Sequence, residues 1–379
     1  MCRPILFVVM LGILFGCGKK KPADTSDTPG PSVTPPAGGP NTTPPKADPV
    51  TGKPKDSVKV LSPRNTFKPD ASFTGSSFNR VFITDDGTRL AIGLDDANKT
   101  QIWDISAEPK KLKEFPGKAL AFSPDGKIVI RGTSSYDLEV VDALTGTLVR
   151  KIPDPGLWYT FPTPDVFLTV FKSEAGGKDK QQQLIVREYD TSTWQKTSEF
   201  EVPADFGKEI YNWQIRLGLN GGRQVAFGNT KTRRVQIWDI KTRKIVSEYT
   251  LGNPTPSPNS FRHFIISLDG KWVSAEDKGT EIFDGKTGKT IVGPPREGFG
   301  GRLGGTFLPT RDMFIHEATH LGDNGKSQDA YRIYDIQGKS GTAFLPGGGS
   351  LFACSANGKV MVTVESNGEL RVWDLTQLP

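Results

Sequence analysis

His316 and His320 are the residues whose type and spacing most directly suggest chemistry. With Glu317 between them they match the H-E-x-x-H pattern of zinc proteases, in which both histidines bind one ion and the glutamate acts as a base. That chemistry requires a helix, because only there do residues four apart share a face closely enough to bind one ion. The residues around the motif follow a strand pattern, and in a strand the two histidines lie about 13 Å apart. The sequence therefore predicts that this motif holds no zinc ion.

Other catalytic patterns do not emerge from the sequence. The chain has three histidines, and it lacks both the G-x-S-x-G pattern of serine hydrolases and a glycine loop for phosphate. Its many aspartates recur at one position of a repeat, where a turn accounts for them. We therefore expect no catalytic residue, no metal site and no cofactor.

Cys17 closes an apolar leader and is a candidate for covalent modification. Residues 4–16 carry no charge. They are too few to span a bilayer, which takes about 20 residues, but they suit a secretory signal. The stretch from Leu14 to Cys17 resembles a bacterial lipobox, in which the peptide is cut before a cysteine whose sulfur receives diacylglycerol. The resemblance implies a signal peptide over residues 1–16, with Leu14 and Gly16 in the lipobox, and lipid attachment at Cys17. A plain secretory signal is the alternative.

Residues 17–56 connect this leader to the rest of the chain. From residue 18 they contain ten prolines and almost no aliphatic side chain, so they cannot bury enough apolar surface to offset the entropy of ordering. We predict a disordered tether that reaches roughly 35 Å as a flexible coil and about 120 Å as extended polyproline. Gly18 stands where an aspartate would resemble an inner-membrane retention signal. We therefore expect export and anchoring at the bacterial cell envelope, in the outer membrane.

The charge balance argues against a nucleic-acid partner. The whole chain has a net charge of +6, but residues 57–379 hold 41 Lys or Arg against 38 Asp or Glu. The two signs are interspersed, whereas phosphate-binding proteins gather their cations on one face or helix. We therefore expect no nucleic acid among the partners.

The elements that position these residues follow a repeat. Alternating apolar and polar residues predict a strand, an aromatic or branched residue ends it, and an aspartate opens a turn. The aspartates, 38 to 51 residues apart, are predicted to cap these turns: Asp104, Asp142, Asp190, Asp239, Asp284, Asp335 and Asp374. A period in the forties built from strands alone is typical of a propeller with four-stranded blades. The sequence therefore predicts an all-β fold, a seven-bladed β-propeller over residues 57–379, preceded by the signal peptide and the Pro-rich linker.

Residues 118–152 show one repeat most clearly, with the turn Ser-Pro-Asp-Gly at 123–126 between its first two strands. Three repeats end in Trp-Asp, with tryptophans at positions 103, 238 and 373. These features resemble the WD40 and YVTN-type β-propellers over residues 57–379. WD40 blades usually open with Gly-His, whose imidazole joins the aspartate in a buried network, and three histidines are too few for that. We therefore expect turn chemistry and apolar packing between blades to hold the ring.

The ends of the repeat region predict how the ring closes. After Asp374 only residues 375–379 remain, too few for a fourth strand in blade seven. Residues 58–61 form a strand-like run that belongs to no repeat. We predict that residues 57–64 supply the outer strand of blade seven, because closure hides two sheet edges that would otherwise be exposed.

The candidate binding surface is the rim formed by the loops that lead into each blade and by those between second and third strands. Aromatic and arginine side chains dominate interface energetics, and the rim candidates are Trp158, Tyr159, Tyr211, Trp213, Arg80, Arg262 and Arg302. The alternative is that the aromatic side chains pack between blades. Two long loops, residues 172–183 and 320–329, are predicted to frame the same rim.

These features favour a non-catalytic module, a monomer, that binds another envelope protein or acts as a scaffold while the lipid on Cys17 holds it at the membrane. By analogy of fold, it resembles the propeller lipoprotein of the outer-membrane barrel-assembly machinery. The alternative from another class is an envelope enzyme that uses the axial channel, either a hydrolase such as a lactonase or a quinone-dependent dehydrogenase.

Overall fold

A computed structural model describes the repeat region with gaps. The described residues are 58–70, 74, 78–95, 97–132, 137–153, 156, 158–172, 184–202, 213–218, 224–229, 232–252, 263–276, 280–291, 305–321, 327–338, 340–347 and 351–378. The predicted leader, with Leu14, Gly16 and Cys17, and the tether up to residue 56 lie outside them. Within the described ranges, no helix has both the length and the apolar character needed to cross a membrane.

Strands make up almost all of the regular structure in the described ranges. Two short strands precede the repeats, β1 (Lys59–Val60) and β2 (Asn65–Phe67). Blades one to three contain β3 (Phe78–Ile83), β4 (Arg89–Leu94), β5 (Lys99–Asp104), β6 (Lys110–Pro116), β7 (Ala119–Phe122), β8 (Ile128–Gly132), β9 (Leu138–Asp142), β10 (Leu148–Ile152), β11 (Trp158–Thr163), β12 (Val166–Lys172), β13 (Leu184–Asp190) and β14 (Lys196–Val202). Blades four and five contain β15 (Trp213–Gly218), β16 (Gln224–Asn229), β17 (Arg234–Asp239), β18 (Lys244–Thr250), β19 (His263–Ile266), β20 (Trp272–Glu276) and β21 (Thr280–Asp284). Blades six and seven contain β22 (Gly305–Phe307), β23 (Met313–Leu321), β24 (Ser327–Asp335), β25 (Ser340–Pro346), β26 (Leu351–Cys354), β27 (Val360–Val364) and β28 (Leu370–Asp374), and a short 3-10 helix follows at Leu375–Gln377.

Each repeat folds into one antiparallel sheet, and the sheets stand in a ring. From blade one to blade six, the first strands of successive blades contact one another, and β26 of blade seven contacts β3 of blade one, so the first strands surround the axis. Blade five shows three strands in the described ranges, followed by a bridge between Phe283 and Thr290 where its fourth strand would begin. The predicted all-β, seven-bladed propeller is confirmed.

The apolar core is divided among the seams between blades. Seven clusters of buried apolar side chains fill the seven seams, and each cluster draws mainly on two neighbouring blades. In the seam that closes the ring, Leu90 and Ile92 of β4 pack against Val360 and Val362 of β27. These second strands are buried along almost their whole length, which is why they are nearly continuous apolar runs rather than alternating ones.

Ring closure uses a different segment from the one predicted. The strand that completes blade seven is β2, which pairs antiparallel with β28, whereas β1 pairs parallel with β25 at the outer edge of blade six. The prediction that residues 57–64 complete blade seven is therefore wrong. An outermost strand buries one face only, so β2 has little apolar pattern beyond Phe67, whose ring lies 4.7 Å from that of Trp103. The run at residues 58–61 instead places Leu61 in the seam between blades six and seven.

Two kinds of turn lie side by side on one face of the ring. In blade two the backbone N of Ala143, in the turn after the third strand, donates to the carbonyl O of Lys127, in the turn after the first strand, at 2.7 Å. The equivalent donors in five other blades are Ile105, Thr191, Gly285, Ile336 and Leu375. We call this surface the turn face. The loops between second and third strands and those between blades therefore lie on the opposite surface, the loop face, which is the predicted rim.

Candidate binding surface

The seven turn aspartates all accept hydrogen bonds from their own turns. Asp142 Oδ1 accepts from the backbone N of Leu144 at 3.0 Å and of Thr145 at 2.8 Å, and from the Thr145 hydroxyl at 2.9 Å. These bonds, led by the one from the Thr145 backbone, hold the pKa of Asp142 below its ordinary value. Backbone N–H groups two or three residues further on also donate to Asp104, Asp190, Asp239, Asp284, Asp335 and Asp374. These carboxylates therefore serve the turn face as caps.

The three Trp-Asp repeats satisfy their indole groups without a histidine. In two blades the indole donates to a glutamine two residues earlier on the same strand, and in blade seven it donates to a threonine on the neighbouring strand. The pairs are Trp103 with Gln101 at 3.0 Å, Trp238 with Gln236 at 3.2 Å and Trp373 with Thr363 at 3.1 Å. Each buried indole N–H therefore has an acceptor. The sequence could have suggested the two glutamine acceptors, because the pattern Gln-x-Trp occurs twice, but not the threonine.

The H-E-x-x-H residues lie on strand β23. Residue pairing with β24 continues from His316, opposite Arg332, to His320, opposite Gln328. Four residues of strand separate the two histidines by about 13 Å, too far for both to bind one zinc ion. The His316 ring is 4% exposed, and its Nδ1 donates to the carbonyl O of Glu317 at 2.9 Å. Burial lowers the pKa of His316 to about 4, so the ring is neutral and packed in blade six.

Three predicted rim residues are described with their side chains, and each lies at a seam between blades. Arg80 Nη1 donates to the carbonyl O of Leu120 in blade two at 2.9 Å. Trp158 packs against the core between blades three and four, and Tyr159 packs against the core between blades two and three. All three are partly exposed. They therefore join blades and also reach the surface, and their part in binding stays a prediction.

Four further rim candidates lie partly or wholly outside the described residues. Trp213 begins β15, although its side chain is not among those described. Tyr211, Arg262 and Arg302 lie outside the described residues.

Blade six has an unusually long hairpin. Its strands β23 and β24 have nine residues each, whereas the second and third strands of the other blades have five to seven. The sequence predicted a loop over residues 320–329. The structure instead continues both strands into this range, because backbone pairing between them persists as far as Leu321 and Ser327.

The end of this hairpin extends past the described part of its two neighbouring strands on the loop face. The inner strand β22 pairs with β23 up to His316, and the outer strand β25 pairs with β24 up to Ala330. Gly347 N, directly after β25, also donates to the carbonyl O of Asp329 at 3.0 Å. In the described ranges, the last two pairs of the hairpin, His320 with Gln328 and Leu321 with Ser327, have no third strand beside them. At ~3.3 Å per residue, this part is about 7 Å long. It offers strand edges to a partner.

Comparison with known proteins shows the fold of this chain. No protein-family model matches the sequence, and no curated protein sequence matches it. The structure is similar to a chain in a solved structure described as "Crystal Structure of Mitotic Checkpoint Complex", with a TM-score of 0.54 and 15% sequence identity. The match covers 87% of this chain and 97% of that chain. The chain has a WD40-like propeller fold. A WD40-like propeller is compatible with a protein-binding module, and at this identity the likeness is one of fold alone.

Proposed function

We propose that the chain is a lipid-anchored, non-catalytic scaffold of the bacterial cell envelope that binds another envelope protein through its loop face. The projecting hairpin of blade six carries this proposal. A closed ring of seven blades holds the hairpin base rigidly, so binding there requires little ordering of the propeller itself.

The projecting hairpin suits recognition by strand addition. A strand edge presents backbone N–H and C=O groups at regular spacing, and an extended peptide can pair with them. Edges of this kind are usually covered or shortened in soluble proteins, because they invite pairing with other chains. An edge that continues about 7 Å beyond the described part of its neighbouring strands is therefore where we expect a partner to pair.

The sequence before the propeller supports the envelope location. An uncharged leader ends at Leu14, Gly16 and Cys17, and a Pro-rich segment follows. Diacylglycerol on Cys17 would hold the chain at a membrane, and the tether would let the propeller meet a partner in the same membrane.

Replacing the proposed lipid-bearing residue tests the anchor. We expect Cys17→Ala to move the protein from the membrane fraction to the soluble fraction and to abolish incorporation of labelled fatty acid. Cys2→Ala is the matched control, because Cys2 lies in the same leader but outside the lipobox, and it should leave both unchanged. A wild-type protein that is fully soluble would refute the anchor.

Shortening the hairpin tests the binding site. Residues 319–329 can be replaced by Asn-Gly, a two-residue turn that would join Ala318 to Ala330, which face each other in the hairpin. Cross-linking and pulldown from detergent-solubilised envelope should recover a protein partner with the wild type and lose it with the shortened variant. Thr242→Ala, which changes an exposed residue on the opposite, turn face, should keep the partner. Recovery of the same partner by the shortened variant would rule out this site, and a co-purifying chromophore or turned-over small molecule would favour an enzyme.

A further inference from the structure

The exposed large apolar side chains are not scattered over the propeller. Those among the described residues lie either on outermost strands or in turns of the turn face: Val60, Leu112, Leu144, Leu148, Val149, Ile245, Val246 and Leu268. Several follow the turn that leads into an outermost strand. Part of this exposure has a local cause, because Leu112, Val149 and Val246 are the extra residues of β-bulges. The bulge does not account for Ile245, which is 41% exposed beside Val246 at 51%.

Cations accompany these side chains most clearly in blade four. Lys241, Arg243 and Lys244 are all exposed and directly precede Ile245 and Val246. Within the described ranges, these three cations form no ion pair. On the outermost strands of blades one and two, cations at other positions lie beside a carboxylate, with Lys111 3.3 Å from Glu114 and Lys151 3.3 Å from Glu139.

Blade five adds cations at the other end of β18. Its turn after the third strand carries exposed Lys286 and Lys289, and Gly252 N, just past β18, donates to Gly288 O of this turn at 3.1 Å. Leu268, 37% exposed, lies in the neighbouring turn of the turn face. We call the exposed side chains of residues 241–246 with Leu268, Lys286 and Lys289 the blade-four edge. It combines five cations with three aliphatic side chains.

Arg243 occupies a position that favours glycine. Its φ is 58°, in the left-handed region, which a residue with a Cβ adopts at a cost in stability. Gly146 and Gly288 hold the equivalent positions in blades two and five, with φ of 75° and 68°. In blade three Trp194 takes the position and is buried in a seam, which offsets the cost. Arg243 is exposed, so burial of its side chain does not offset this cost.

We propose that the blade-four edge binds an anionic phospholipid surface. Such a surface recognises exposed aliphatic side chains among exposed cations, because the cations attract the head groups and the aliphatic groups enter the boundary with the acyl chains. Nucleic acid would favour aromatic or polar contacts over aliphatic ones. The inference rests on the proposed anchor, since a lipid on Cys17 would keep this edge close to a membrane.

The test uses residues 57–379 and vesicles, so it does not depend on the anchor. Asp56–Pro379 form one compact unit, and all seven seam clusters lie within residues 61–378, so this part keeps the whole fold. We expect co-sedimentation with vesicles that contain phosphatidylglycerol, little with phosphatidylcholine alone, and a decrease at high salt. A failure here leaves the Cys17 fractionation result standing, and the reverse also holds.

Arg243→Gly separates binding from folding. The variant should melt at a higher temperature, because glycine adopts the left-handed backbone without strain. It should nevertheless bind anionic vesicles about fivefold more weakly, because that is the affinity that one cation contributes near such a surface. The double variant Ile245→Ser with Val246→Ser should weaken binding as well. Arg150→Ala is the matched control, because Arg150 is an exposed cation on the outermost strand of blade two, and it should bind like the wild type. Equal binding by wild type and Arg243→Gly, or retention of the wild type by DNA but not by vesicles, would overturn the inference.

Discussion

Buried hydroxyl groups hold the first turn of several blades. Ser123 Oγ accepts from the backbone N of Lys127 at 3.1 Å and of Ile128 at 2.9 Å, and it donates to Asp125 Oδ1 at 2.7 Å. The same arrangement recurs around Thr84, Ser267 and Ser355. Each hydroxyl gives a partner to backbone groups that would otherwise be buried without one. In this protein, these hydroxyl groups therefore provide some of the buried hydrogen bonds that a histidine network provides in WD40 propellers.

Asp312 joins blades five and six through its carboxylate. It accepts from Lys271 Nζ and from Trp272 Nε1, both at 2.7 Å. Burial by itself raises the pKa of Asp312, but the hydrogen bonds from Lys271 and Trp272 outweigh it and lower the pKa below its ordinary value. The carboxylate is therefore charged near neutral pH and fixes the seam.

The buried ring of His316 should make the propeller sensitive to mild acid. Burial lowers its pKa from 6.5 to about 4. At a pH between these two values, His316 is protonated in the unfolded chain and neutral in the folded chain. The stability from neutral His316 is present above the unfolded pKa and is lost as the pH falls toward the folded pKa. We expect the free energy of unfolding to fall by about 2 kcal/mol between about pH 7 and about pH 5, measured by denaturant unfolding.

His316→Phe isolates this effect. Phenylalanine keeps a ring beside Phe314, whose centroid lies 6.2 Å from that of His316, and it cannot be protonated. The variant retains His263 and His320, so it should lose only the part of the pH dependence that His316 causes. The same slope in both proteins would show that His316 is accessible to protons in the folded state.

At the scale of elements, β-bulges shape the outermost strands. In five blades the fourth strand has one extra residue opposite the end of the third strand: Leu112, Val149, Thr197, Val246 and Thr342. A bulge increases the local twist and interrupts the regular edge. These bulges therefore protect sheet edges that the ring itself does not cover. Blade six has a further protection, because β1 pairs with its outermost strand.

Two glycines in equivalent turns should respond differently to alanine. Gly270 and Gly358 both have positive φ, 70° and 68°. A Cβ on Gly270 would meet nothing within 4 Å, whereas one on Gly358 would lie 2.4 Å from the carbonyl O of Pro309 in blade six. We expect Gly270→Ala to cost about 1 kcal/mol from backbone strain alone and Gly358→Ala to cost about 3 kcal/mol.

Thermal or denaturant unfolding of the two variants measures this difference. Gly270→Ala serves as the control for backbone strain, so the excess in Gly358→Ala reports the contact between the turns of blades six and seven. Equal losses in the two variants would mean that these turns do not touch.

At the scale of the whole molecule, the ring closes through packing and through the first residues of the propeller. Leu61 is 2% exposed in the seam between blades six and seven, and Phe67 packs against the seam between blades seven and one. Arg64 also reaches blade one, where its Nη2 donates to the carbonyl O of Ile105 at 2.5 Å. The segment that contains β1 and β2 therefore contacts three blades.

Removing this segment should weaken the whole ring. A chain that begins at residue 69 loses both β1 and β2, and we expect its melting temperature to be about 10 °C below that of a chain that begins at residue 57. The transition should stay single, because each seam depends on its neighbours around a closed ring. An unchanged melting temperature would show that β2 is not needed for closure.

Local sequence predicted much of the fold. The recurring aspartates gave the third strands and their turns, because the side chain of an aspartate and the backbone it caps are only two or three residues apart. The number of blades followed from that repeat. The projecting hairpin and the blade-four edge were not predicted, because the apolar alternation fades in the hairpin and the exposure of Ile245 depends on which strand lies outermost.

The closing strand shows where local pattern stops being informative. Residues 58–61 have the more strand-like sequence, yet β2 completes blade seven. Its pairing with β28 joins segments more than three hundred residues apart. This pairing needs just one apolar side chain, that of Phe67, so the local sequence of β2 gives little sign of it. Turns and strand number can be read from the chain alone because neighbouring residues create them. The choice of closing strand, and of which side chains stay at the surface, is made by contacts between distant segments, which no local pattern encodes.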